Sequence, residues 1–157
     1  MHITTETVAA EREWVRDRAD IVVTLANDVR SSLSDAFGVE VRDITEEEYR
    51  EAVDQVFDDG SRAVNVATIV AMLRDLDVDG DYPGFVIDEY LGRELAGMIA
   101  GEQPLRLLAE STFHYADVHS HAGQTAGVDD LDAALAAGFQ TRLPGWSWTE
   151  SDPFGPV

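Results

Sequence analysis

Residues 8–37 read VAAEREWVRDRADIVVTLANDVRSSLSDAF, and the apolar spacing in this stretch decides the fold class. Val15, Ala19, Val22, Ala26, Val29, Leu33 and Phe37 recur at steps of three or four. Side chains at those steps share one face of an α-helix. The spacing predicts one long helix over residues 8–37, stopped by Gly38, a residue that takes the left-handed conformation at no steric cost.

The same period continues downstream. Thr45 and Glu48 have capping-box spacing, and Tyr49, Ala52, Val53, Val56 and Phe57 then line one face as far as Asp58-Asp59-Gly60. A third helix is expected over Ser61 to Leu76, with Val66, Val70 and Leu73 inward, followed by a turn from Asp77 to Gly84. A fourth covers Phe85 to Ala100, with Leu91, Leu95, Met98 and Ile99 as its stripe. Pro104 suits the first turn of a fifth, which should reach Gly123. A short sixth helix is expected over Asp129 to Ala137, stopped by Gly138. The stretch from Phe139 to Val157 lacks a period and reads as an irregular tail. The expected architecture is all-α: an antiparallel four-helix bundle with an extra short helix, residues 1–138, and an aromatic tail, residues 139–157, packed on it.

Charge is the second strong signal. Thirty-one Asp and Glu face eleven basic residues, all Arg, for a formal net charge of −20. In dilute salt such a charge strains a compact chain by self-repulsion. At molar salt the Debye length falls to about 3 Å and the repulsion is screened. The composition resembles that of proteins from salt-accumulating halophilic archaea. The dispersed Arg residues offer no basic patch for nucleic acid. Cysteine is absent, which removes disulfides and thiolate ligands. No apolar run approaches a membrane span of about 20 residues, and Met1 to Glu6 lacks the pattern of a signal peptide. A cytoplasmic protein is expected.

One segment speaks of chemistry. His114, His119 and His121 fall within eight residues, with Asp117 among them. If the fifth helix is continuous, Asp117 and His121 lie one turn apart and can chelate one divalent metal from a single face. His114 lies one turn below Asp117, and His119 points to another side. The same residues also suit a solvated or hydrogen-bonded polar patch, and both readings stay open.

The run Asp117-Val118-His119-Ser120-His121-Ala122-Gly123-Gln124 resembles the last helix of the DinB-like (YfiT-like) superfamily, which reads H-x-x-x-H, often followed by Gly-Gln; Asp117 stands in the place of the first His. The resemblance implies a four-helix bundle and a metal-dependent hydrolase or thiol-dependent S-transferase. It implies a divalent cation (Zn, Ni or Mn) held by Asp117 and His121. His114 would complete the site or act as an acid–base group, and a metal-bound water would be the nucleophile. The family's third His comes from an earlier helix; Val64 to Leu73 contains none, so the site is degenerate.

Asp75, Asp77, Asp79 and Gly80 open like a calcium loop, but its twelfth position is Val86 and Pro83 interrupts it, so a solvated turn is the reading. Trp146, Trp148 and Phe154 place aromatics in the tail, either packed on the bundle or used as a docking arm. The alternative to a degenerate enzyme is therefore a non-enzymatic helical protein that homo-oligomerises through its long helices or tail. The sequence names no small-molecule substrate.

Overall fold

The computed structural model describes residues 1–79, 82–119 and 126–147. These form seven helices: α1 (Thr5–Asp17), α2 (Ala19–Phe37), α3 (Glu46–Asp58), α4 (Gly60–Asp75), α5 (Ile87–Ala100), α6 (Leu105–Asp117) and α7 (Ala126–Arg142). No strand occurs among the described residues. The all-helical expectation holds, and several boundaries differ.

The long first helix is divided. At Arg18 the backbone N–H turns back to the carbonyl of Val15 at 3.3 Å, a tight turn that separates α1 from α2. The apolar stripe passes through this joint unbroken, so periodicity cannot reveal it. The side chain of Arg18 ties down the joint: its guanidinium lies 4.9 Å from the ring centroid of Trp14 and pairs with Asp132. Two termini are as the sequence predicts. Gly38 closes α2 at φ +65°, and the Thr45–Glu48 capping box opens α3, with the Glu48 N–H donating to Thr45 Oγ1 at 3.1 Å.

The largest difference concerns α7. It begins three residues earlier than predicted and runs on past Gly138 to Arg142, so residues 139–142 belong to the helix and not to the tail. Every residue from Asp130 to Thr141 is buried. This is a central helix, buried on all sides, against which α2, α4, α5 and α6 pack. Gly138 does not stop it. A Cβ there would lie 2.8 Å from Ile99 Cβ and 3.0 Å from the Ala96 carbonyl oxygen, so the glycine serves the close approach of α5.

Beyond α7 the chain stays attached. Trp146 is 1% exposed, edge-on to Phe37, with its indole N–H directed at Gln140. Arg30, fully buried, donates to the carbonyls of Gln140, Leu143, Pro144 and Arg42, and so clamps the end of α7 to α2 and to the segment before α3. Trp148 and Phe154 lie outside the described residues.

Candidate carboxylate site

Three close approaches set the directions of the helices at the site. A Cβ on Gly92 would meet the Phe113 ring at 2.6 Å and the Asp130 carbonyl oxygen at 3.3 Å. Gly97, five residues on, faces Arg106 and Glu110, while Gly138 faces Ala96 and Ile99. Hence α5 and α6 are antiparallel, and α5 and α7 run the same way. The starts of α5 and α7 therefore meet the end of α6.

Three carboxylates are placed at that junction. Asp88 stands one turn before Gly92, Asp117 one turn after Phe113, and Asp130 in the first turns of α7. Asp88 is 8% exposed and Asp130 is 5% exposed; Asp117 is half-buried. One oxygen of Asp88 accepts from the Glu89 N–H at 3.0 Å. The Asp130 carboxyl lies in hydrogen-bonding contact with both Asp88 and Asp117. Burial, then contact with Asp88 and the charges of Asp117 and Asp88, push its pKa up to about 9. A carboxyl so placed keeps its proton at neutral pH. Its Oδ1 finds no hydrogen-bond partner in the structure as described.

The residues singled out in the sequence divide at this point. Asp117 belongs to the cluster. His114, one turn earlier on α6, is exposed. His119 lies beyond the end of α6, exposed, with its ring 5.1 Å from that of Tyr115. His121 falls outside the described residues, as does Gly80 of the calcium-like turn. Asp88 and Asp130 were missed. Asp88 reads in sequence as an acid favoured at a helix start, and Asp130 as one of several acids opening a short helix. The signal that could have found Asp130 is its company: Asp130 and Asp132 interrupt an Ala- and Leu-rich run that is too apolar for a surface helix.

The carboxylates offer hard oxygen donors of the kind that Mn²⁺ or Mg²⁺ takes. Among the described residues, however, no group of three or more His, Asp and Glu side chains is arranged to hold a metal ion by itself.

The chain is thus an all-helical protein with a buried helix and an acidic junction at one end of it. A family model for a domain of unknown function (DUF7984) matches residues 1–156, and the chain belongs to that family. No curated protein and no solved structure matches it. No helix among the described residues is long and apolar enough to cross a membrane.

Proposed function

We propose that this chain is a cation-binding helical protein, in which Asp88, Asp117 and Asp130 take up a divalent metal while Asp130 surrenders a proton. The observation that carries this reading is the Asp130 carboxyl, 5% exposed, touching two other acids and leaving Oδ1 without a partner. An ionised acid in that position is costly unless a proton or a cation compensates it. Of Zn, Ni and Mn, the oxygen-rich donor set favours Mn²⁺. His121, four residues beyond Asp117, supplies the remaining donor in this reading, and His114 has no ligand role.

The DinB-like resemblance, with its four-helix bundle, supplies the reaction class: hydrolysis or thiol transfer. The metal, when bound, would acidify a water. This chain's own residues orient and charge-balance the cation, and the packed Gly92–Phe113 layer closes the site from below. The −20 surface fits a cytoplasm rich in salt.

Equilibrium dialysis of purified protein against Mn²⁺ tests the reading. About one Mn²⁺ per chain is expected, weakened roughly tenfold or more by Asp130→Asn and by His121→Ala. A native protein that takes up no stoichiometric Mn²⁺, Zn²⁺ or Ni²⁺ would overturn it. One observation favours an interaction role instead: Tyr82, Ile87 and Tyr90, around the start of α5, are 64%, 51% and 58% exposed. A dimer dissociated by Tyr90→Glu, in protein that ignores metal, would select that reading.

A further inference from the structure

Opposite the carboxylates, at the other end of α5 and α6, three of the chain's eleven arginines converge. A cavity of about 250 Å³ is lined by Arg62 and Arg106, with Ser61, Asn65, Met98 and Gly101 between them and Asp59 at its edge. In a chain with a net charge of −20 the ordinary fate of an arginine is a close carboxylate. Arg12, Arg16, Arg18, Arg42, Arg74 and Arg106 all have one within 2.5 to 2.8 Å.

Arg62 has no such close partner. Its guanidinium makes no hydrogen bond among the described residues, and its ion pair with Asp59, three residues before it, is long at 3.8 Å. It is not free to seek solvent. Gly101 leaves room for it, since a Cβ there would lie 3.2 Å from Nη2, and the side chain is only 28% exposed. A second cation stands close behind. Arg142, which donates to the Ile99 carbonyl at 2.7 Å, has its pKa lowered by burial and then by the charge of Arg62. The charge of Asp59 acts on both Arg62 and Arg142. Arg106 is fixed by Glu110 at 3.1 Å and Glu94 at 2.7 Å, which makes it a rigid wall of the cavity.

We infer that this cavity binds a small oxyanion, the phosphate or carboxylate group of a ligand, through the fork of Arg62. A planar guanidinium with unused N–H donors matches such a group bidentately. Ser61 and Asn65 offer neutral donors on the same wall, and Met98 gives an apolar side to the cavity. The site is separate from the acidic junction: α5 alone, fourteen residues long, puts about 20 Å between its two ends. Its presence does not depend on the cation reading above.

The test is titration of inorganic phosphate, and separately of acetate, into the full chain at constant ionic strength maintained with KCl. Thermal melting and ³¹P line width are the readouts. A saturable rise in melting temperature is expected with at least one of the two anions, and which one does so names the source of the oxyanion. Arg62→Gln should move half-saturation upward about tenfold or more, while Arg93→Gln, which does not line the cavity, should leave it in place. A second arm uses the unaltered protein: phenylglyoxal should label Arg62, and the bound anion should protect it. Stabilisation that never saturates, that persists in Arg62→Gln, or that comes without protection of Arg62 would mean a general salt effect and would overturn the inference.

Discussion

Asp130 and Asp132 stand two residues apart on α7 and are comparably deep, 5% and 1% exposed, but their surroundings are opposite. Arg18 donates to both oxygens of Asp132, at 2.8 and 2.6 Å. Asp130, turned about 200° away on the helix, meets Asp88 and Asp117 instead. Burial raises both pKa values, and the guanidinium opposes the rise only at Asp132. One acid is ion-paired with the scaffold. The other lies among acids, where a retained proton offsets its burial.

That difference fixes a pH dependence. The Asp130 carboxyl is raised from the ordinary value near 4 to about 9, so between these limits the folded state holds a proton that the unfolded state has lost. Its penalty is absent below about pH 4 and grows with pH, by at most about 1.4 kcal/mol per unit. Asp130→Asn removes it. Chemical denaturation without metal should show Asp130→Asn more stable than the native chain at pH 8, by about 1 kcal/mol or more, with the gap closing toward pH 5. Equal stability at both pH values would show that Asp130 ionises normally.

The Arg30 clamp makes the opposite kind of prediction. Burial lowers its pKa to about 10, which still leaves it charged at neutral pH. Its four carbonyl partners include the buried ends of α7. Arg30→Met leaves those acceptors dry and unpaired, and urea denaturation should report a loss of about 3 kcal/mol or more. The Trp146 fluorescence should shift to the red as the segment after α7 detaches. A loss under about 1 kcal/mol would contradict the clamp.

Gly138→Ala sets two effects against each other. Alanine gains about 1 kcal/mol in helix propensity. The added Cβ would press on Ile99 Cβ at 2.8 Å and on a backbone oxygen at 3.0 Å, neither of which can swing aside. Overpacking of this kind costs about 1–3 kcal/mol, so a net destabilisation is expected in thermal melts. A stabilised variant would mean that α5 and α7 are not in contact there.

The legible parts of the fold were the local ones. Thr45 with Glu48 and Gly38 each act within a few residues, and their geometry followed from sequence alone. The joint at Arg18 depends on Asp132, more than a hundred residues away, and no local pattern encodes it. The central helix is not legible because a helix buried on every side has no stripe, and because Gly138 reads as a stop when only its distant neighbours show it to be a contact. Asp117 is singled out in sequence by the histidines beside it. Asp88 and Asp130 meet only through the side-by-side packing of the starts of α5 and α7, which no local pattern encodes.

The acid surface carries its own test. With thirty-one acids against eleven arginines, self-repulsion should dominate at low ionic strength. The melting temperature should rise by about 10 °C or more between roughly 0.1 M and 2 M KCl, mostly through screening. A flat profile would remove the case for adaptation to salt.

A potentiometric titration measures directly the proposed exchange of a proton for a cation at Asp130. Mn²⁺ is added to unbuffered, metal-free protein at pH 7 and the released acid is counted. About one proton per bound Mn²⁺ is expected, and none from Asp130→Asn. Mn²⁺ that binds without releasing a proton, or an equal release from Asp130→Asn, would contradict the assignment.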